Sequence, residues 1–89
     1  KETAPGQRKL VLLPDGSRVT LNADSRIKYG QDFSTNRVIE LEGEAFFEVV
    51  KDAEHPFSVV SHDLTTTALG TSFNIKAYGA EAPVQVTLA

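Results

Sequence analysis

Residues 37–51, RVIELEGEAFFEVVK, alternate between apolar and polar side chains at almost every step. Apolar residues such as Ile39 and Phe47 occupy odd positions, whereas even positions carry mainly glutamates. Successive side chains of a β-strand point to opposite faces, so this period of two predicts a half-buried strand rather than a helix. Gly43 interrupts the run and indicates a bend, a bulge, or a hairpin turn at Glu42–Gly43.

The same period of two recurs along the chain, and no stretch shows the period of 3.6 that marks an amphipathic helix. We therefore predict an all-β, single-domain fold with no substantial helix. Strands are expected near residues 8–13, 17–22, 37–41, 44–51, 57–61, 72–78 and 84–88. Two weakly similar units, LPDGSRVTLN and ALGTSFNIKAY, favour a short β-solenoid or roll, and a twisted β-sandwich is the competing architecture.

The inward positions of these strands define a predicted core. A chain of 89 residues can bury only a thin core, so each of these side chains matters. The predicted buried residues are Val11, Leu13, Val19, Leu21, Ile39, Leu41, Phe47, Val59, Phe73, Ile75 and Val86.

Turn-forming residues separate the predicted strands. Pro14-Asp15-Gly16 predicts a type I turn with a glycine bulge, in which Gly16 has a positive φ and Asp15→Asn is nearly neutral. Asn22 opens a second turn cluster, Asn-Ala-Asp-Ser. Gly70 interrupts the last long run and indicates a bulge or a corner.

The composition excludes several classes of protein. The formal net charge is −3, whereas nucleic-acid binders usually carry a basic patch. The chain has no cysteine, so it has neither disulfides nor thiolate metal sites. No apolar run approaches the roughly 18 residues of a membrane span.

The glutamates of the long strand raise the question of acid–base catalysis. Glu40, Glu42, Glu44 and Glu48 share one face of the strand. A row of this kind is typical of a solvated face that discourages edge pairing, and no motif marks a pocket around it. Ser72 lies outside any Gly-x-Ser-x-Gly elbow. We predict no catalytic residue and no cofactor.

His55 and His62 are the two histidines, and acidic residues flank both. Seven positions separate them, so an extended chain would place them on opposite faces. Zinc ligands usually converge from closer or better matched spacings. We predict surface or turn histidines and no metal site.

Phe46 and Tyr78 are predicted to lie on the face opposite the core residues of their strands, and Leu10 and Leu12 belong to the same group. These side chains either cover a second small core or contact a partner, since interfaces favour aromatic over charged residues. Phe46, Tyr78 and Leu12 are the candidate partner contacts. The residues expected to serve geometry or packing are Pro14, Asp15, Gly16, Asn22, Gly43, Phe47, Gly70 and Phe73.

Four ordered motifs together resemble the FecR domain of FecR-type transmembrane anti-sigma regulators. They are V-x-L-P-D-G-S-x-V-x-L-N-x-x-S at 11–25, R-x-I-x-L-x-G-E-A-F-F-E-V at 37–49, P-F-x-V at 56–59 and L-G-T-S-F-N-I-x-A-Y at 69–78. The polar first residues predict that 1–7 are a flexible end, and the resemblance implies that 8–89 are the FecR-like domain. The family pattern continues with a further strand, so the C-terminal strand is expected to be truncated.

The resemblance implies signalling across the envelope of a Gram-negative cell. The domain would be periplasmic, and it would relay the state of a TonB-dependent outer-membrane transporter to an extracytoplasmic-function sigma factor. Its implied partners are the C-terminal domain of the same regulator and the transporter's signalling domain. The sigma factor and the membrane would be reached only through segments outside this chain. The alternative is a small extracellular β-sandwich binding module, for example for carbohydrate.

Overall fold

A computed structural model describes residues 6–62, 64–79 and 83–89. Eight strands and no helix are found there, which confirms the all-β prediction. The strands are β1 (Lys9–Leu12), β2 (Arg18–Leu21), β3 (Arg26–Tyr29), β4 (Val38–Glu48), β5 (Phe57–Ser61), β6 (Leu64–Ala68), β7 (Ser72–Ala77) and β8 (Gln85–Leu88). The sequence pattern predicted β4 as two separate strands and did not predict β3 or β6. Within the described ranges, no helix is long and apolar enough to cross a membrane.

The long strand β4 belongs to both parts of one open, mixed sheet. Its first half pairs antiparallel with β3 and parallel with β5, and β5 pairs antiparallel with β6. We call these strands, with the first half of β4, the mixed part. Its second half lies between β2 and β7 in the order β1-β2-β4-β7-β8, which we call the antiparallel part. Gly43, with φ +101°, lies where β4 changes partners. The glycine therefore marks a bend within a continuous strand and not a hairpin turn.

The strand pairing separates the architectures that the sequence left open. Of the pairings among described residues, only β4–β5 is parallel. A solenoid stacks successive coils in parallel, so the arrangement is closer to a roll or a twisted sandwich. The single-domain prediction is consistent with one continuous core under both parts of the sheet.

The core is built on the odd positions of β4 and an interlocking group of aromatic rings. Phe47 stacks on Phe73 at 5.2 Å between ring centroids and meets Phe57 edge-on at 6.0 Å. Phe57 in turn contacts Phe33, a loop residue that is fully buried. Apolar residues buried beyond those predicted are Ile27, Phe33, Ala45, Phe57 and Ala77.

The prediction that Val86 is buried in the core is wrong, because this residue is 40% exposed. Its register opposite Ile75 places it on the inward face of β8, as predicted. However, β8 is an edge strand beyond β7, and among the described residues the core does not extend beneath it. Alternation gave the correct face of the strand, but that face is largely uncovered.

The β1–β2 hairpin is closed as expected. Leu13 N–H donates to the Ser17 carbonyl at 2.9 Å, and Gly16 N–H donates to the Leu13 carbonyl at 3.0 Å. Gly16 has φ +90°, which confirms the predicted left-handed residue. Gly70 lies in the bend between β6 and β7, where a Cβ would come within 2.6 Å of the Lys51 Cα. Gly70 is therefore a corner that is constrained by close packing.

The predicted flexible end, residues 1–7, lies largely outside the described residues, which begin at Gly6.

Candidate functional site

Arg37 is the most buried charged residue among those described, at 2% exposed. It precedes β4 and joins three segments of the chain. Its Nε–H donates to the His55 carbonyl at 2.6 Å, and its Nη1 and Nη2 groups donate to the carbonyls of Val50 and Asp52 at 2.8 and 3.1 Å. The loop between β4 and β5 is thus fastened by one guanidinium.

The charge partner of Arg37 comes from the first turn. Asp15 Oδ2 accepts a hydrogen bond from Arg37 Nη1 at 3.0 Å, and the two side chains are 8% and 1% exposed. Asp15 also accepts from the backbone N–H and the hydroxyl of Ser17 at 2.9 and 2.8 Å. The Ser17 hydroxyl in turn accepts from Val50 N–H at 2.9 Å. The turn therefore holds the β4–β5 loop through charge and hydrogen bonds.

This geometry revises the expected neutrality of Asp15→Asn. An amide would leave the guanidinium of Arg37 without a counter-charge in a buried position, which is costly. The guanidinium also lies 5.5 Å from the centroid of the Phe57 ring, which is within cation–π distance. Arg37 was not among the residues predicted from the sequence to have a role, although it falls on the odd, inward positions of the β4 pattern. A charge in phase with a core face was the available signal.

The second turn cluster packs against the bend of β4. Ser25 is buried, and its hydroxyl accepts from Glu44 N–H at 2.9 Å and donates to the Ala23 carbonyl at 3.0 Å. A Cβ on Gly43 would come within 2.3 Å of the Ser25 Oγ. Tyr78, a candidate partner contact, also donates its hydroxyl to the Ala23 carbonyl. Tyr78, directly after β7, thus closes this turn in addition to any outward role.

Phe46 lies on the outer face of the antiparallel part beside a fixed polar cluster. The Glu44 carboxylate accepts from Asn22 Nδ2 at 3.0 Å and from Asn74 Nδ2 at 2.8 Å. Phe46 is directly opposite Thr20 and Asn74 in register and is half-buried. A groove of about 170 Å³ opens here, lined by Arg8, Thr20, Asn22, Glu44, Phe46 and Asn74.

Leu10 and Leu12 extend the apolar part of this face. Both are on β1, with exposed fractions of 55% and 69%. Leu10 pairs with Thr20, which in turn pairs with Phe46, so the three side chains form one row across the sheet. The structure brings Phe46 and Leu12 onto one face, whereas Tyr78 lies beyond the end of β7 near Asp24 and Gly43.

The other glutamates of β4 form cross-strand ion pairs. Arg26 bonds Glu42 at 2.8 Å, and Arg18 bonds Glu48 at 2.9 Å. All four side chains are exposed to solvent, so these pairs add little to stability. Glu40 is exposed opposite Lys28. The arrangement is that of a solvated sheet face.

The two histidines lie in separate surroundings. His55 Nδ1 is 2.9 Å from Asp52 Oδ2. This hydrogen bond from His55 lowers the pKa of Asp52, with a smaller opposing contribution from burial. His62 is exposed, and its φ of +55° is in the left-handed region. Within the part of the chain that the structure describes, no three His, Cys, Asp or Glu residues are grouped to hold a metal ion.

Comparisons with known proteins agree with this fold. The family model "FecR protein" matches residues 1–88. Two crystal structures, at 2.50 and 1.65 Å resolution, of a "putative anti-sigma factor" from Parabacteroides distasonis ATCC 8503 each superpose with a TM-score of 0.85 and 38% sequence identity. The superposition covers 99% of this chain and 46% of the solved chains, so this chain spans about half of their length. No curated protein matches the sequence significantly. The match over residues 1–88 and the shared fold at 38% identity place the chain in the FecR protein family.

Proposed function

We propose that the chain is the periplasmic domain of a membrane-anchored anti-sigma regulator. It relays the state of a TonB-dependent outer-membrane transporter to an extracytoplasmic-function sigma factor through protein–protein contacts. The observation that carries this proposal is the superposition of 99% of the chain, at 38% identity, on a protein described as a "putative anti-sigma factor". The family match over residues 1–88 supports it independently.

The same proposal specifies the protein partners of the domain. The domain contacts the C-terminal domain of its own regulator and the signalling domain of the transporter. The sigma factor is bound by a cytoplasmic segment outside this chain, and the membrane is crossed by a helix outside it. A nucleic-acid partner is disfavoured by the net charge of −3.

The surface proposed for these contacts comprises Leu12, Phe46 and Tyr78. Leu12 is 69% exposed and Phe46 is half-buried on the same face, next to charged residues such as Arg18 and Glu48. An apolar centre with a polar rim is the usual composition of a protein interface. Tyr78 contributes separately, since its hydroxyl already caps the turn at Ala23.

The domain works as a rigid element and not as an enzyme. The bent strand β4 ties both parts of the sheet to one core, and Arg37 fastens the β4–β5 loop to the first turn. Such a body can transmit a change of orientation between the segments attached to it. Glu42, Glu44 and Glu48 all bond neighbouring side chains across the sheet, which favours an outer sheet face over a pair of catalytic carboxylates.

The test uses the full-length regulator in its native cell, with regulator level and inducer-dependent transcription as readouts. Replacement of both Leu12 and Phe46 by alanine should leave the regulator level unchanged and abolish the response to inducer. Val60→Ala, a half-buried site on the outer face of the mixed part, is the matched control.

A second variant tests the domain itself. Leu41 is 2% exposed, and a buried aspartate there disrupts the core. If Leu41→Asp accumulates with this domain unfolded and still responds to inducer like the wild type, the proposed relay is wrong.

A further inference from the structure

We propose that the groove beside Phe46 binds an extended, uncharged peptide segment of a protein partner. The segment would hydrogen-bond through its main chain to the Asn74 amide and place an apolar side chain against the Phe46 ring. This inference rests on the proposed function, because it specifies what kind of chain the outer face contacts. Three features of the groove support it.

The first feature is a polar cluster that is fixed before any ligand arrives. The Glu44 carboxylate holds the Asn74 amide at 2.8 Å and the Asn22 amide at 3.0 Å. The bond to Glu44 is the one hydrogen bond of the Asn74 side chain within the described residues, and among them its carbonyl oxygen and second N–H have no other partner. A carboxamide offers one acceptor and one donor side by side, as a peptide group does. Side chains held in place in advance lose little entropy when they bind.

The second feature is the charge of the groove. Arg8 and Glu44 bring one positive and one negative side chain to the same small space. An anionic ligand group there would be repelled by Glu44, and a cationic group would be repelled by Arg8. The two charges sum to zero, so the groove has no net charge that would offset the desolvation of an ionic ligand. The centre of the groove therefore favours an uncharged ligand such as a main-chain peptide group.

The third feature is the continuity of apolar surface beyond the groove. The row from Phe46 through Thr20 reaches Leu10, and Leu12 follows on β1. The two leucines are 55% and 69% exposed. A monosaccharide would fill the groove and leave both leucines uncovered. An extended peptide can occupy the groove and also cover the leucines, because its side chains alternate along a longer path.

The experiment pans a displayed library of random seven-residue peptides on the immobilised chain, with counter-selection on the Phe46→Ala variant. We expect enriched peptides with an apolar residue at the centre and no charge beside it. The best peptide, synthesised with both ends capped, is then titrated in NMR spectra. The signals of the Asn74 side-chain amide and of the backbone amides of Thr20 and Phe46 should shift. Thermal melting of each variant confirms that it is folded.

Asn74→Ala and Phe46→Ala should each weaken binding of this peptide by about tenfold or more, as expected for central contacts. Val60→Ala should bind like the wild type. The proposal is overturned if no peptide is enriched in a Phe46-dependent way, or if the enriched peptides carry a central charge.

Titration with glucose, galactose, mannose and cellobiose is the second arm. Shifts of the same amide signals with a sugar and not with the peptides would assign the groove to carbohydrate and overturn the proposal. These measurements use the chain alone. Absence of peptide binding would therefore overturn the groove proposal without deciding the transcription test of the relay. A failed transcription test would likewise not decide whether the groove binds peptide.

Discussion

The carboxylate of Asp15 and the guanidinium of Arg37 form a buried ion pair, 3.0 Å apart, with side chains 8% and 1% exposed. The pair connects the first turn of the chain to the start of the longest strand. Three main-chain carbonyls of residues 50–55 accept hydrogen bonds from the same guanidinium. The LPDGS sequence is therefore more than a hairpin turn, because its aspartate compensates the charge that holds the β4–β5 loop.

Asp15→Asn should lower the free energy of unfolding by about 3–5 kcal/mol, since it leaves Arg37 buried without a counter-charge. Urea denaturation followed by circular dichroism measures the change. The matched control is Glu48→Gln, which breaks the exposed pair with Arg18 and should cost no more than about 1 kcal/mol. Equal midpoints for Asp15→Asn and the wild type would show that the ion pair does not contribute to stability.

Sequence alternation located six of the eight strands in the described residues and their inward faces, but it did not predict β3 and β6. It also failed where the burial of a side chain depends on what covers it. Alternation placed Phe47 and Ile75 correctly in the core, and turn chemistry placed Gly16 correctly at a positive φ. Val86 had the correct inward face, but a period of two does not reveal that β8 lies at the edge. Phe33 was missed because it enters the core from a loop without periodicity.

The candidate site was predictable to a similar extent. The sequence indicated that Phe46 and Leu12 face outward, and the structure places them on one face. The Glu44–Asn74 contact joins residues 30 positions apart, so no local pattern could reveal it. Arg37 did leave a local signal, a charge in phase with a core face, but its counter-charge and acceptors come from distant turns and loops and could not be predicted.

Gly43→Ala should be strongly destabilising for two separate reasons. A residue with a side chain is strained at φ +101°, and its Cβ would also come within 2.3 Å of the Ser25 Oγ and 2.8 Å of its Cα. Gly79→Ala separates these effects, because Gly79 has φ +69° and nothing within 4 Å of the added Cβ. We expect about 1–2 kcal/mol for Gly79→Ala and clearly more for Gly43→Ala. Similar thermal melting temperatures for the two variants would mean that the contact with Ser25 relaxes freely.

Ser61→Ala should leave stability unchanged or raise it. The Ser61 side chain is 1% exposed, and its hydroxyl oxygen has no hydrogen-bond partner among the described residues. Removal of a buried, unsatisfied hydroxyl recovers a desolvation cost of about 1–3 kcal/mol, less the loss of packing. Ser17→Ala is the opposite case, because that hydroxyl bonds both Asp15 and Val50. Chemical denaturation should therefore rank Ser61→Ala above Ser17→Ala, and the reverse order would contradict the assignment.

The pKa of Asp52 should lie below its usual value and return towards it in His55→Ala, since the hydrogen bond from His55 is the main cause of the shift. A carboxyl group with a lowered pKa in the folded state stabilises the fold above its unfolded pKa. That contribution is lost as the pH falls through the folded pKa. NMR titration of the Asp52 side-chain carbon measures both values directly. An unchanged pKa in His55→Ala would assign the shift to other groups, such as the Glu54 N–H.

Phe47→Ala and Phe46→Ala test whether the inward face of β4 is assigned correctly. Phe47 is fully buried, with Phe73 stacked on it and Phe57 at its edge. Its truncation should cost about 3–5 kcal/mol, from lost burial and from the cavity that remains. Phe46 is half-buried on the outer face, so its truncation should cost only roughly 1–2 kcal/mol. Small domains are stable by roughly 5–15 kcal/mol, and Phe47→Ala could leave a substantial unfolded population at 37 °C. Urea titrations at low temperature keep both variants measurable, and a larger loss for Phe46→Ala would invert the face assignment.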